Sequence, residues 1–311
     1  MLRVRGLAGI LDPTILQDVT FSGADAAGAR RLARVQSIAV CPTCRGELAW
    51  SADEARCGDC GAAFPIRNGR IYFVAVPQRD DDLDRVKGWL KRTFGRAYYT
   101  IGVRLLAPTF PFNFARFVTR RVDPAAGIVI DAGCGNHRLH EDIIGADLFD
   151  YDAVDVVCSL GALPFRDNAV AAIVTRSVLE HVPAPHAVVS EFRRCTRAGG
   201  LNMHLIPFLF PEHASPDDFH RFTVHGQDVL FAGWDLVERT NPGGPVSAAL
   251  SHFIDVLATV LSANVTAIKS VVYLALCGLF FPLKFLDAPF VNRGAFLGSS
   301  ATILSVVRKQ G

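Results

Sequence analysis

Ile128-Val129-Ile130-Asp131-Ala132-Gly133-Cys134-Gly135 is the stretch on which the reading of this chain turns. It is an apolar, β-branched run that stops at an acid and two close glycines. The run predicts a buried strand, and the glycines predict a turn where backbone approaches a ligand. The residues after Gly135 keep the alternation of a βαβ architecture. Strands are expected at 127–132, 143–147, 153–158, 169–175, 200–206, 234–240 and 301–308, with helices near 184–197 and 224–232. Open α/β sheets bind ligands outside the carboxyl ends of their strands. Here those ends carry Asp131 to Gly135, Asp147-Leu148, Ser159-Leu160 and Ser177. Only eleven residues separate Gly135 from Asp147. That is near the minimum for a parallel crossover, so the helix after the glycine turn is expected to be short or missing.

The Asp131-Ala-Gly-Cys-Gly135 loop, with Ser177-Val178-Leu179-Glu180-His181-Val182 after the fourth strand, resembles the class I S-adenosylmethionine-dependent methyltransferases of the type 11 branch. The resemblance covers residues 122–241 and 300–309. It implies an α/β, Rossmann-like, seven-stranded sheet and S-adenosyl-L-methionine as cofactor. It implies that Gly133 and Gly135, flanked by Ala132 and Cys134, let the backbone run against the methionine and ribose, and that Asp131 orients the loop. Asp147, with Leu148 beside it, would accept the ribose hydroxyls. Ser159 and Leu160 would meet the adenine, and Ser177 the reacting end. Two positions depart from the pattern. His137 stands where a third glycine is usual, and Ser159 where relatives often carry Asp. Each acid also has a plain alternative as a turn former or helix cap.

Residues 207–223 are a polar, aromatic loop at the ligand end of the sheet. His213-Ala-Ser-Pro216-Asp217-Asp218-Phe-His220-Arg221-Phe-Thr223 resembles a segment of methyltransferases associated with cell-envelope glycan pathways. For a hydroxyl acceptor, His213 and His220 are the candidate bases and His181 a third, since histidine titrates near neutral pH. The alternative is structural: Asp218 and Arg221 pin the loop, Thr223 caps the next helix and His181 orients its own. The Asn/Asp-Pro-Pro-Tyr/Phe segment of many base and amide methylases is absent, which weighs against DNA-type chemistry.

Ahead of this domain, Cys41-Pro-Thr-Cys44 and Cys57-Gly-Asp-Cys60 stand twelve residues apart. Two such knuckles give a closed, tetrahedral four-thiolate site suited to structural Zn2+. The stretch Gly61 to Phe73, with a hairpin turn at Asn68-Gly69, resembles the small zinc ribbons of methyltransferase-activator proteins. The chain thus divides into an N-terminal arm (1–36) expected to pack poorly, a ribbon (37–76), a linker with a basic, aromatic helix (77–121) and the methyltransferase domain (122–311). In the last of these, residues 246–290 are an apolar helical insertion. Its second run, Val271 to Leu283, looks too short and broken for a bilayer span. The insertion is expected to dip into one leaflet, to cover a greasy substrate, or to be covered by protein, a second copy of the chain included.

The totals agree with this division. At 311 residues there is room for one α/β domain and a smaller module. Net charge is only +2, so the protein as a whole is no obvious polyanion binder. Four of the eight cysteines are paired in knuckles and four are scattered, a pattern of metal binding in a reducing compartment. Asp12 and Pro13 break the apolar N-terminus, which argues against a signal peptide. The expectation is a cytoplasmic enzyme, peripheral to the inner face of a membrane, that O-methylates a small-molecule or lipid-linked glycan acceptor. Two rivals remain. An RNA methyltransferase would use the ribbon and the basic segment 85–121 as its grip. A non-catalytic partner protein would keep the fold without the chemistry. A lipid C-methylase, sharing the Leu-Glu-His-Val segment, is a third reading.

Overall fold

The computed structural model describes residues 24–77, 106–213 and 217–311. The basic, aromatic helix expected over residues 85–106 falls outside them, except at its last residue, and so does the start of the N-terminal arm.

The expected strands form, each from the apolar run that predicted it. They are β5 (Val129–Ala132), β6 (Ile144–Asp147), β7 (Val156–Val157), β8 (Val170–Arg176), β9 (Thr196–Pro207), β10 (Trp234–Gly243) and β11 (Thr302–Lys309). They lie in the order β7-β6-β5-β8-β9-β11-β10. The first five are parallel, and β11 runs antiparallel between β9 and β10. The central strands β5 and β6 are buried at every residue, which explains their continuous apolar character. No helix intervenes between β5 and β6. The short crossover is closed by turns, and Arg138 inside it donates to Asp155 and to the Ala153 carbonyl.

The sheet is larger than the expected seven strands. The ribbon strands β1 (Leu48–Trp50), β2 (Glu54–Cys57), β3 (Ala63–Arg67) and β4 (Arg70–Tyr72) continue it. Asn68 and Gly69 take positive φ at the β3–β4 turn, as an Asn-Gly hairpin requires. β4 then pairs parallel with β7, Ile71 opposite Val156 and Tyr72 opposite Val157, giving eleven strands in all. Ile71 is fully buried in this joint, and burial of such a side chain contributes roughly 2 kcal/mol.

Residues 24–36 differ from the poorly packed arm expected from the sequence. They belong to a helix, α1 (Ala24–Ile38), that is docked on the domain. Val35 and Ile38 join the main core with Ile71, Ile130 and Phe165. Arg31 is buried against Asp155 at 2.9 Å and donates to the Glu141 carbonyl. An alanine- and arginine-rich helix looks polar in isolation. Its Arg31 proves to be a buried donor.

The remaining α-helices among the described residues are α2 (Phe114–Thr119), α3 (Pro185–Cys195), α4 (Val224–Leu230), α5 (Pro245–Leu261) and α6 (Thr266–Phe280). The Asn113 side chain caps α2 and Thr223 caps α4. In the insertion, α5 and α6 form an antiparallel hairpin cemented by Leu250, Ile254, Ala258, Leu276 and Cys277. Its foot is fixed by buried Asp287, whose two oxygens accept the amides of Val246 and Ser247. The expectation of a run too short to span needs correction. A 3-10 turn continues α6, so Ile268–Asp287 makes 20 helical residues, long and apolar enough by composition to cross a membrane. Only 17% of its most apolar 18-residue window is buried. Phe253, Val256, Val260, Val271, Leu279 and Leu286 are among its exposed apolar side chains and those of α5.

Candidate active site

A cleft of about 1160 Å³ lies along the carboxyl ends of the parallel strands. It is lined by the loops after β5 to β8, by the 107–115 segment and by Pro207, Phe210, His213, Asp217 and Phe219. At its floor the β5 turn is held by a bond of 2.7 Å from the Gly133 amide to the Ala146 carbonyl. Gly133 takes φ +76°, and a Cβ there would lie 2.4 Å from a Val178 methyl. Both constraints demand glycine. Gly135 takes φ +56°, and a Cβ there would meet nothing within 4 Å. Its bare backbone faces open space.

Asp147 is nearly buried at the end of β6 and lines the cleft. One oxygen accepts the Gly135 amide at 2.9 Å and the other the Phe149 amide at 3.0 Å. A carboxylate anchored this way by two backbone amides is preorganised. Ser159 and Leu160 follow β7 and line the same cleft, with the Ser159 hydroxyl accepting the Gly161 amide. Ser177, after β8, takes φ +52°, and its N–H donates a hydrogen bond to the Leu205 carbonyl. A non-glycine residue in that region is uncommon, and such strain concentrates at functional sites.

Of the ten residues that the sequence assigns to the cofactor, Gly133, Cys134, Gly135, Asp147, Leu148, Ser159, Leu160 and Ser177 line this one cleft. Asp131 and Ala132 do not. Asp131 is buried beneath the turn, and burial pushes its carboxyl up to about 7, against the pull of Arg176 and with the push of Asp147.

The three histidines separate. His181 and His213 both line the cleft, with ring centroids 5.0 Å apart and planes nearly perpendicular. His220 is not on the cleft wall. It packs beside Phe222 and Phe219. The 207–223 loop reaches His181 because the Phe219 and His220 amides bond to the Glu180 carbonyl. Asp218 and Arg221 form the expected ion pair. Burial raises the Asp218 carboxyl, but Arg221 and the His213 amide outweigh it and hold it down at about 2. Burial likewise opposes protonation of His213, yet the Glu180 and Asp218 carboxylates prevail and raise its imidazole.

Sequence reasoning alone misses three contributors. In the chain Glu180 is only part of the Leu-Glu-His-Val segment, but in the fold it is fully buried beside both histidines. Its position next to His181 is the available signal. Arg176, on the cleft wall, acts on Asp131 across the strand end. Phe110, Phe112 and Phe114 bring aromatic side chains to the lining of the cleft. The aromatic richness of that segment is visible in the sequence, its placement is not.

In the ribbon, Cys41, Cys44, Cys57 and Cys60 bring four sulfurs within 4.8 Å of one another. Sulfur separations of 3.7 Å (Cys41–Cys60) and 3.4 Å (Cys44–Cys57) match the edge of a tetrahedron with 2.3 Å zinc–sulfur bonds, about 3.8 Å. The cluster fits a zinc ribbon.

Comparison with known proteins agrees with this architecture. Residues 130–203 match the family described as methyltransferase domain. No curated protein sequence matches the chain. Similar solved structures include the geranyl diphosphate C-methyltransferase of Streptomyces coelicolor A3(2), at 16% identity over 63% of this chain and 76% of that one, TM-score 0.38. The Haemonchus contortus phosphoethanolamine N-methyltransferase 2 is 14% identical over 72% of this chain and 59% of that one, TM-score 0.45. Residues 130–203 thus match a methyltransferase domain and lie in a mixed α/β sheet, preceded by a four-cysteine cluster that fits a zinc ribbon.

Proposed function

We propose that this methyltransferase-domain chain is an S-adenosylmethionine-dependent enzyme that methylates an oxygen of a small-molecule or lipid-linked glycan acceptor at a membrane surface. The observation that carries the reading is the convergence of the β5, β6, β7 and β8 loop residues on one cleft. When bound, S-adenosylmethionine supplies an electrophilic methyl carbon, so the protein's task is binding and orientation. Gly135 offers open backbone for close approach, and Asp147, anchored by two backbone amides, would present its carboxylate to vicinal hydroxyls. Ser159 and Leu160 would border the adenine, with a hydroxyl in place of a charge. The Glu180, His181 and His213 cluster, whose two histidines line the cleft, would grip a polar group of the acceptor. Zn2+ on the four cysteines would be structural, since four thiolates leave no open position.

The greasy acceptor is supported by the way the insertion meets the cleft. The amide of Phe110, which lines the cleft, donates to the Ser247 hydroxyl of α5, 2.8 Å away. The Lys284 ammonium donates to the Ala107 carbonyl at 2.8 Å. The exposed apolar hairpin therefore stands directly beside the cleft rim, so a lipid-borne substrate held at the hairpin is next to the site. Binding to anionic liposomes, lost in a chain with Val256, Val260 and Leu279 changed to serine, is the expected result. Equal flotation of both chains argues for a protein-covered hairpin.

The first test is calorimetric titration of S-adenosylmethionine into wild type and Asp147→Asn. Hydrogen bonds to a charged group are each worth about 1.5–3 kcal/mol, so affinity should fall more than about tenfold. No binding by folded, zinc-loaded wild type would defeat the enzyme reading and favour a non-catalytic partner protein.

A further inference from the structure

Glu180, His181 and His213 meet in an arrangement that the cofactor cleft alone does not explain. Glu180 sits in a 3-10 turn, Leu179–His181, and its side chain is fully buried. Neither carboxylate oxygen has a hydrogen-bond partner among the described residues. Buried polar groups are almost always satisfied, and an orphan carboxylate is costly to maintain. Its Oε1 lies 3.6 Å from His181 Nε2 and 3.7 Å from His213 Nε2.

The other nitrogens of those rings meet acceptors. His181 Nδ1 lies 2.6 Å from the Asp217 carbonyl, which can only accept, so Nδ1 carries the hydrogen. His213 Nδ1 lies 3.2 Å from the Pro211 carbonyl and 3.3 Å from Asp218 Oδ2, both acceptors and both nearer than the Arg221 guanidinium at 3.4 Å. In the neutral rings both Nε2 atoms then bear lone pairs. Two lone pairs and a carboxylate oxygen converge, the nitrogens 3.6 and 3.7 Å from the oxygen. What balances them is a proton on His213 or a metal cation at the centre.

We propose that Glu180, His181 and His213 form a divalent transition-metal site, two imidazoles and a carboxylate, whose open coordination positions face the cleft and take an oxygen of the acceptor.

Its geometry fits. Ligands at 2.0–2.1 Å on a tetrahedral ion are separated by about 3.4 Å, so the observed 3.6 and 3.7 Å need only a few tenths of an ångström of closure. All three donor atoms lie within 4.8 Å of one another. The outer contacts are those of a metal centre. Metal-bound histidines donate the other ring N–H to a carbonyl or carboxylate, and here the Asp217 and Pro211 carbonyls and Asp218 fill that role. Arg221 in turn fixes Asp218. Nitrogen and oxygen donors of this kind suit zinc, iron(II), cobalt(II) or manganese(II) over calcium. Three protein ligands leave positions open, unlike the ribbon's closed set. The metal site stands on these contacts alone. Only the assignment of its open positions to an acceptor rests on the methyltransferase reading.

The test uses the full chain with the ribbon already loaded with zinc. Co2+ is added and followed by visible absorption and by equilibrium dialysis. One further equivalent should bind without the sulfur-to-metal bands of a thiolate site. His213→Ala, whose side chain is partly exposed, and Glu180→Gln, which keeps the buried shape, should each weaken it more than about 100-fold, since loss of an outer-shell partner alone costs 10–100-fold. His220→Ala should bind as wild type does. Thermal unfolding checks that each variant is folded, and S-adenosylmethionine affinity is measured on the same samples. Absence of Co2+ binding by folded wild type, or binding indifferent to both His213→Ala and Glu180→Gln, overturns the site, and an unpaired cluster bridged by a proton is then the answer. Co2+ binding in a chain that fails to bind S-adenosylmethionine upholds the site and defeats the methyltransferase reading instead.

Discussion

Gly133→Ala tests the reading of the β5 turn, and its effect on stability comes from two separable features. The first is the backbone. At φ +76° an alanine occupies the left-handed region, which costs an L-residue roughly 1–2 kcal/mol. The second is space. The new methyl would lie 2.4 and 2.8 Å from the two Val178 methyls, where ordinary carbon contacts are about 3.5–4.0 Å. Val178 cannot simply withdraw. It is buried, and Ser177 before it is already at positive φ, with its N–H bonded to the Leu205 carbonyl. Overpacking of this kind costs about 1–3 kcal/mol, so the two terms together predict a loss of about 2–5 kcal/mol. Val178→Ala removes both clashing methyls and, alone, should cost about 1.5 kcal/mol in lost burial. The double variant should recover most of the packing term and none of the backbone term. The Val178 Cβ at 3.2 Å leaves a small residue of the first. Urea unfolding monitored by circular dichroism gives the four free energies by linear extrapolation. A favourable coupling of about 1–3 kcal/mol is expected. A Gly133→Ala loss below about 1 kcal/mol, or additivity within about 0.5 kcal/mol, would refute the argument that this glycine is required by both φ and Val178.

The Asp218 carboxyl is held at about 2, below its ordinary value, although burial pushes the other way. Its stabilisation is therefore complete above the unfolded pKa of about 4 and is lost as pH falls toward 2; near neutrality it amounts to about 2 kcal/mol. Unfolding midpoints of wild type and Asp218→Asn should differ at pH 7 and converge near pH 2, and a gap that persists in acid would show that packing is responsible. Cys57→Ser should abolish tight zinc binding at the ribbon, measured by metal analysis after dialysis. Because Cys41, Cys57 and Phe64 share one core with Ile71 and Ile130, it should also lower the melting temperature of the whole chain, whereas an early, separate ribbon transition with the main one unmoved would contradict a common core.

Much of the fold is readable in the chain because its signals are local. Continuous β-branched runs such as 128–130 mark strands buried on both faces. The spacing of Cys41, Cys44, Cys57 and Cys60 marks a metal knuckle whatever surrounds it. The short link from Gly135 to Asp147 excludes an ordinary crossover helix by length. Strand ends and their polar residues lie where the sheet must present them, so Gly133, Gly135, Asp147, Ser159 and Ser177 can be gathered on one edge from sequence. Asp131 escapes this logic for a related reason. Alternation along a strand does not say which end residues point up into a cleft and which down into the core.

Tertiary structure decided the rest. Arg31 meets Asp155 across 124 positions, and no local pattern in an alanine- and arginine-rich helix announces a buried ion pair. The ribbon's last strand finds β7 through backbone bonds that any extended segment can make, so sequence specifies the hairpin but not the edge it joins. Glu180 and His213 approach because the 219–220 backbone bonds to a carbonyl of the 3-10 turn, a contact without side-chain identity and therefore without a trace in the residues. Local propensity and spacing are properties of neighbours along the chain. The joining of modules and the convergence of Glu180, His181 and His213 depend on long-range backbone pairing and burial, which exist only once the chain has closed on itself.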